Sequence, residues 1–301
     1  MKTRTLKSDL LMLLAAFIWG SAFVAQRTGM NYIGPFTFNA VRFALGALVL
    51  TPLLFLLNRK KGIKSDFVFK RKKLIKSGFL AGSAIFMGIT FQQIGLLYTT
   101  AGKAGFITGL YVIIVPIMGM FLNKKSTKGS WIGAVLALLG LYFLSITQKF
   151  AMSKGDVFEL IGAFFWAAHV HLIDSFVNDL DPFNLAFMQF VTTSFLSLIM
   201  ALIFEKIEFI QILNASLPLL YAGVLSSGVA YTIQVVAQKE VNPTHAAIIL
   251  SLEAVFAVIA GRIILHEILS KREILGCLLM LSGMIVSQLY SKQNLTDTDI
   301  S

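Results

Sequence analysis

The chain is poor in the residues that a water-soluble protein needs. Charged side chains make up 14% of its 301 residues, whereas an ordinary soluble domain carries about 25%. The single cysteine, Cys277, excludes an intramolecular disulfide framework. The sequence also lacks a P-loop, a zincin motif and a nucleophile elbow, so no ATP hydrolysis is implied. Any pumping would therefore draw its energy from a gradient of an ion or a solute.

Hydrophobic residues are abundant, and the basic residues are clustered. Hydrophobic side chains account for 56% of the chain, and the formal net charge is +11. Nine of the 26 Lys and Arg residues lie between Arg59 and Lys76, a stretch that separates two apolar runs. Such a block is typical of a cytoplasmic loop that faces anionic lipid headgroups. Because no aromatic platform accompanies it, we expect membrane lipids as partners and no nucleic acid.

The apolar residues fall into ten runs of the length that crosses a bilayer, about 20 residues each. Each run is predicted to be an α-helix, because a backbone in lipid must satisfy its own hydrogen bonds. The first run is not interpreted as a signal peptide, since no small-x-small cleavage site follows it. The fold class predicted is an all-α polytopic membrane protein. The predicted spans are roughly 9–27, 35–57, 76–97, 102–122, 129–147, 155–175, 182–204, 216–236, 243–265 and 272–290.

The distribution of Lys and Arg among the connecting segments predicts the orientation. With the N-terminus inside, the inner segments hold 17 of these residues and the outer segments seven. Positive charge is enriched in cytoplasmic loops, so both termini are predicted to be cytoplasmic.

The chain also contains an internal repeat. When it is shifted by 147 residues, 9–43 lies over 156–190 without a gap. The pairs that match are Asp9 with Asp156, Phe17 with Phe164, Trp19 with Trp166, Pro35 with Pro182, Phe36 with Phe183, and Phe43 with Phe190. The repeated unit holds five spans, which divides the chain into 1–150 and 151–301.

An odd number of spans makes the second copy enter the membrane from the opposite side. The loops agree with this inversion: 58–76 has nine basic residues, whereas its counterpart 205–215 has only Lys206 beside two glutamates. Inverted repeats place a substrate site near the bilayer midplane, between the two halves.

Several motifs together resemble the EamA-like branch of the drug/metabolite transporter superfamily. The resemblance covers nearly the whole chain, and the five-plus-five arrangement of spans matches as well. The stretches that carry it are FIWGSAF (17–23), NAVRFALGALVLTPL (39–53), AGKAGFITGLYVIIVP (101–116) and NPTHAAIILSLEAVFAVIAGRIILHE (242–267).

The resemblance implies an inner-membrane carrier of small metabolites, often an exporter of amino acids or related compounds. It also implies a central cavity surrounded by spans 1, 3, 4, 6, 8 and 9. The chain departs from the family where Glu253–Ala254 replaces Glu-Pro and where His266 replaces the glycine of Leu-Gly-Glu. In the second copy FFWAAHV (164–170) stands in place of Trp-Gly-Ser. These differences weaken any transfer of substrate identity.

Arg42 lies inside a predicted span, where a guanidinium costs roughly 2.5–3.5 kcal/mol on insertion scales. It is seven residues from Pro35, hence roughly 10 Å from the predicted outer end. An arginine recurs here in the family pattern, whereas the repeat partner in this chain is Gln189. We interpret Arg42 and Arg262 as gating or structural charges, in preference to direct contacts with substrate.

Glu253 lies about ten residues into the ninth span, close to the midplane. A carboxyl group at that depth is protonated, paired or open to water, and Arg42 and Arg262 are candidate partners. If it can change protonation it is a candidate for proton coupling; otherwise it is a neutral acid bonded between helices. The coupling ion stays open.

Aromatic and polar residues near mid-span are candidates for a substrate pocket. A tryptophan at that depth lies away from the interfacial belt, so it either walls a cavity or packs between helices. Amides and phenols can hydrogen-bond a solute or cross-link helices. The predicted substrate-binding residues are Trp19, Gln93, Tyr111, Trp166, His169, Tyr231, Gln234 and Glu253.

The HVH stretch (169–171) raises the question of a metal site. On a helix, residues two apart point about 200° apart, so both rings cannot readily reach one ion. We therefore expect neither a metal nor a cofactor. Three glycine pairs with small-xxx-small spacing are interpreted as close helix packing: Gly78/Gly82, Gly105/Gly109 and Gly129/Gly133.

The function predicted is secondary transport by alternating access across the cell membrane. Two alternatives remain. A membrane enzyme acting on a lipid-linked substrate would have to use Asp174, Asp179 and Asp181 near one loop. A scaffold without transport predicts that replacing Trp19 or Glu253 alters stability only.

Overall fold

The chain folds into helices joined by short turns. The computed structural model describes residues 2–61, 67–99, 101–124, 126–145, 153–265 and 270–297, and every regular element within them is helical. The helices are α1 (Lys2–Gly29), α2 (Pro35–Lys61), α3 (Phe67–Gly95), α4 (Ala101–Gly109), α5 (Tyr111–Phe121), α6 (Lys128–Ser145), α7 (Lys154–Phe176), α8 (Pro182–Phe204), α9 (Phe209–Asn214), α10 (Ser216–Leu220), a π-helical segment (Tyr221–Tyr231), α11 (Thr232–Gln238), α12 (Pro243–Leu250), α13 (Glu253–Leu265) and α14 (Lys271–Asp297).

Six helical runs among the described residues are long and apolar enough to cross a membrane. They lie in α1, α2, α3, α7 and α8 and in the run Ser216–Gln238. Shorter apolar helices occupy Ile107–Phe121, Lys128–Phe143, Pro243–Ala257 and Ile274–Ser287. Large apolar side chains point outward, and Phe121 is 84% exposed. Such a surface fits lipid tails better than water.

Two of the predicted spans are interrupted, contrary to the prediction of one continuous helix for each. Leu110 separates α4 from α5, and Ser251 and Leu252 separate α12 from α13. At these points the amides of Leu110 and Leu252 bond to carbonyls three residues back, at 3.1 Å each. A short 3₁₀ turn inside a helix often marks a hinge.

The segment Tyr221–Tyr231 is π-helical, which the sequence did not predict. Here the chain passes close to α2 through glycines. A Cβ on Gly223 would lie 2.7 Å from the Cβ of Leu45 and 3.1 Å from the carbonyl oxygen of Arg42. π-Helical backbone is rare and occurs frequently at functional sites, and this eleven-residue segment reaches the cavity described below.

The most extensive helix contacts join the first part of the chain to the second. α6 packs along α14, α2 along α8, and α3 along both α7 and α8. α1 packs on the π-helical segment and on α13. The core is therefore made between 1–150 and 151–301 and not within either one alone.

Glycines permit several of these approaches, though not at every predicted position. A Cβ on Gly82 would lie 2.6 Å from the Cβ of Thr192, so close packing of α3 on α8 is confirmed there. Gly109 packs on Leu141 in the same way. For Gly105 the prediction is wrong, because no atom of another described residue lies within 4 Å of its Cβ position.

The start of α2 is capped by a distant residue. The carboxylate of Glu205 accepts hydrogen bonds from the amides of Phe36 and Thr37, both at 2.8 Å. In the repeat, α8 is capped by its own Asp181, whose oxygen accepts from Phe183 and Asn184 at 3.1 Å. The residue that corresponds to Asp181 is Gly34, which has no side chain to cap with.

Candidate functional site

A cavity lies in the centre of the helical assembly. Its walls come from α1, α3, α4, α5, α7, α11, the π-helical segment and the α12–α13 break, which are the segments that the resemblance implied, and in addition from α2. Seven of the eight predicted substrate-binding residues line it: Trp19, Tyr111, Trp166, His169, Tyr231, Gln234 and Glu253. Arg42 lines it as well.

The cavity is small in this conformation. Its volume is about 40 Å³, measured as the space open to the centre of a water molecule. One water needs roughly 10–15 Å³ on the same measure. The space therefore suits a few waters or part of a small solute, and a larger solute would require the walls to move apart.

Tyr231 is the centre of an aromatic cluster on the cavity wall. Its ring lies 4.7 Å from that of Trp19 and 6.1 Å from that of Trp166. The indole nitrogen of Trp19 donates to the carbonyl oxygen of Ser226 at 3.2 Å. The two tryptophans that match in the internal repeat thus approach one tyrosine from opposite halves of the chain.

Arg42 enters this cluster from α2. Its side chain is 1% exposed, and its guanidinium carbon lies 4.9 Å from the centre of the Phe43 ring and 5.7 Å from that of Phe38. Within the described part of the chain, its Nε and Nη2 atoms have no hydrogen-bond partner. No carboxylate among the described residues forms an ion pair with it, so Glu253, for which Arg42 was one candidate partner, is not paired with it in this conformation.

Glu253 and Tyr111 lie close to each other on the cavity wall. Tyr111 begins α5 and Glu253 begins α13, so each stands directly after one of the helix interruptions. The Tyr111 hydroxyl interacts with the Glu253 carboxyl group, and both side chains are buried. A movement at either 3₁₀ turn would change this contact.

The two histidines of the HVH stretch have separate partners. The Nε2 atom of His169 lies 3.1 Å from Oε1 of Gln189. The Nε2 atom of His171 lies 2.8 Å from the carbonyl oxygen of Val115. The rings therefore point to different helices, as the geometry of residues two apart predicts, and only His169 reaches the cavity.

Gln93 does not line the cavity, and its neighbour Gln92 does. Gln93 is fully buried elsewhere, and both atoms of its amide lack partners. The sequence predicted that an amide of α3 lines the cavity. Adjacent residues of a helix point about 100° apart, and the match between the repeats did not distinguish Gln92 from Gln93. The side chain of Arg262 and residues 266–267 lie outside the described residues.

Several lining residues were not predicted from the sequence. One of them is Thr108, whose hydroxyl donates to Oε2 of Glu159 at 2.9 Å. Glu159 is a fully buried acidic residue on α7 that is not itself among the lining residues, and its place inside a predicted span was a signal that could have drawn attention to it. No such signal existed for Ser226, which the π-helical segment brings to the wall. The other lining residues not predicted are Phe23, Gln26, Ile89, Gln92, Val170 and Leu250.

The model of the EamA-like transporter family matches residues 6–146 and, separately, residues 153–288. The chain belongs to the EamA-like transporter family. Its membership makes it a multi-pass membrane protein of a transporter family, in agreement with the apolar helices. The two matches also lie on the two halves that the internal repeat defines.

Similar proteins carry transporter names. An "Uncharacterized transporter" of Archaeoglobus fulgidus is 36% identical over 287 residues, covering 95% of this chain and 87% of that relative. "Uncharacterized transporter YoaV" of Bacillus subtilis is 25% identical, covering 90% and 92%. A solved structure titled "Crystal structure of protein" superposes with a TM-score of 0.77 at 15% identity over 95% of this chain and 98% of its own. That likeness shows a shared fold.

The three aspartates of the enzyme alternative have structural partners in this EamA-like chain. Asp174 pairs with Lys124, and Asp179 pairs with Lys73 at 2.7 Å. Asp181 caps α8. Each carboxylate is thus engaged by a different group, and the three do not converge on one reaction centre.

Proposed function

We propose that the protein is a secondary transporter of small metabolites such as amino acids, working by alternating access. In this proposal ten spans form two inverted five-helix halves, 1–150 and 151–301, in the cytoplasmic membrane. Both termini face the cytoplasm and the net direction is export. The observation that carries the proposal is the cavity between the helices, to which the two halves contribute matched residues, Trp19 and Trp166.

The contacts at the two ends of α8 support the inversion. Before α8, Asp179 pairs with Lys73, which belongs to the basic stretch 58–76. After α8, Glu205 caps the start of α2. The 23 residues of α8 span about 34 Å at 1.5 Å per residue. This length separates the Lys73 ion pair from Glu205 by about the thickness of a bilayer.

The interrupted helices support alternating access. The 3₁₀ turns at Leu110 and at Ser251–Leu252 lie on the cavity wall, beside Tyr111 and Glu253. Bending at one turn would open the cavity on one side while the other turn keeps the opposite side closed. Rocking of one half against the other around a fixed site is the usual form of such transport.

The orientation can be tested with reporter fusions. A reporter active only in the cytoplasm, inserted in 58–76, should be active, and the same reporter in 205–215 should be silent. Fusions at both termini should be active. Activity at both internal positions would contradict the inverted arrangement and, with it, the central site.

Transport can be tested without knowing the substrate. We expect overexpressing cells to accumulate a metabolite in the medium that cells lacking the gene do not release. Comparative extracellular metabolomics names the solute, and proteoliposomes containing the purified protein should then move it. If no metabolite differs and the proteoliposomes move none of a broad panel, the proposal fails.

We further propose that Glu253 carries the coupling proton, because it is the carboxylate on the cavity wall among the described residues. Glu253→Gln should abolish transport driven by a proton gradient while retaining exchange of labelled solute across the membrane. Glu208→Gln is the matched control, since Glu208 is exposed in a connecting segment. An E253Q protein that still responds to the gradient would exclude this role.

A further inference from the structure

Arg42 is charged and buried, and no described residue supplies it with a counter-ion. It is 1% exposed, and its Nε and Nη2 atoms have no hydrogen-bond partner in the part of the chain that the structure describes. A guanidinium offers five N–H donors and stays charged in proteins. The rings of Phe38 and Phe43 offer cation–π attraction to the charge, but they do not satisfy the N–H donors. The side chain therefore has unsatisfied donors, and Arg42 is one of the residues that line the cavity.

The equivalent position in the second half is occupied by a neutral residue. Gln189 matches Arg42 in the repeat and is equally buried; its Oε1 lies 3.1 Å from Nε2 of His169, while its own Nε2 has no partner among the described residues. The fold therefore accommodates a neutral amide at this place with a partner for its oxygen. Packing alone does not require a positive charge at Arg42.

Glu253 does not neutralise Arg42. It lines the same cavity, but its interaction is with Tyr111 and no ion pair joins it to the guanidinium. A buried charge that has lost its partner is strongly unfavourable. The described residues supply no partner for the guanidinium, which leaves it available to a group that enters the cavity.

We infer that Arg42 binds the carboxylate group of the transported solute. The inference rests on the proposed function and names the chemical class of its substrate, a small organic carboxylic acid in its anionic form. A carboxylate can accept two parallel N–H bonds from one guanidinium, a geometry that lysine does not offer. The apolar part of the solute would lie against the rings of Trp19, Trp166 and Tyr231, which line the same space.

Matched acids and amides test this assignment in the purified full-length protein. The probes are 3-phenylpropionate with 3-phenylpropionamide, and butyrate with butyramide. Binding is followed by tryptophan fluorescence, because two of the three tryptophans line the cavity. We expect each acid to bind about tenfold to a hundredfold more tightly than its amide, the range for a hydrogen bond to a charged group.

Three variants assign the preference to one side chain. Arg42→Gln should remove the difference between acid and amide. Arg42→Lys should keep part of it, and serves if the glutamine variant does not fold. Lys73→Gln removes one positive charge from an exposed ion pair away from the cavity and should leave the preference unchanged.

Equal binding of acid and amide to the unmodified protein, failure of every acid to bind, or a full preference in Arg42→Gln would overturn the inference. The proposed transport function would survive any of these results if metabolomics and proteoliposomes identify a neutral or cationic solute. Conversely, acid-selective binding without transport of any solute would contradict the proposed transport function. It would still support Arg42 as a binding site for a carboxylate.

Discussion

Replacing Tyr231 with alanine should destabilise the protein and stop transport together. Its ring lies within 6.3 Å of five other rings, those of Trp19, Phe43, Trp166, His169 and Phe190. It is 4% exposed. Removing a buried aromatic side chain costs about 3–5 kcal/mol, because the lost contacts and the remaining cavity add up. Thermal unfolding in detergent and solute flux in proteoliposomes measure the two effects.

Tyr231→Phe distinguishes the contribution of the aromatic ring from that of the hydroxyl group. The ring contacts persist in this variant, so we expect stability close to that of the unmodified protein. Any loss of transport in Tyr231→Phe then reports a hydrogen bond to the solute. A Tyr231→Ala protein with normal stability and flux would show that the aromatic cluster is not what holds the two halves around the cavity.

Replacing Gly133 with valine should separate α6 from α14. A Cβ on Gly133 would lie 2.6 Å from the carbonyl oxygen of Gly283, and a Cβ on Gly283 would lie 2.6 Å from that of Gly133. The contact is thus backbone against backbone, and no flexible side chain can move aside. Overpacking of a close contact costs about 1–3 kcal/mol, and two methyl groups beyond the Cβ place valine at the upper end. Denaturation in detergent would show the loss directly.

Gly105→Val is the matched control. Gly105 also lies in a helix, but the described residues place no atom within 4 Å of its Cβ position. The two variants make the same substitution, so the difference in the free energy of unfolding isolates the steric effect. If both variants lose equal stability, the cause is valine in a helix and not the α6–α14 contact.

Much of the architecture could be predicted because composition and local chemistry act over short distances. Runs of about 20 apolar residues must become helices in lipid, since no water is there to satisfy the backbone. Proline is tolerated in the first turn, where no intrahelical bond is needed, and Pro35 and Pro182 indeed begin α2 and α8. The repeat also indicated which residues lie at the same depth in the membrane. On that basis it paired Trp19 with Trp166, and in the structure both rings lie beside Tyr231.

The predictions that were wrong or incomplete concern features that depend on residues of another helix. Gly105 and Gly109 have the same spacing as packing glycines, yet only Gly109 faces a side chain on another helix. Gln92 faces the cavity and Gln93 does not, because a rotation of α3 is set by what packs behind it. The cap of α2 comes from Glu205, far away in the chain.

The sequence by itself determined the class of protein, the approximate ends of its helices and its membership of a transporter family. Those follow from hydrophobicity, backbone hydrogen bonding and internal matching, which are properties of the chain. Only the tertiary structure decided that Arg42 has no counter-ion among the described residues, that Glu253 interacts with Tyr111, and that a π-helical segment brings Ser226 to the cavity. These depend on the distance between atoms on different helices, and no local pattern in the chain encodes such a distance.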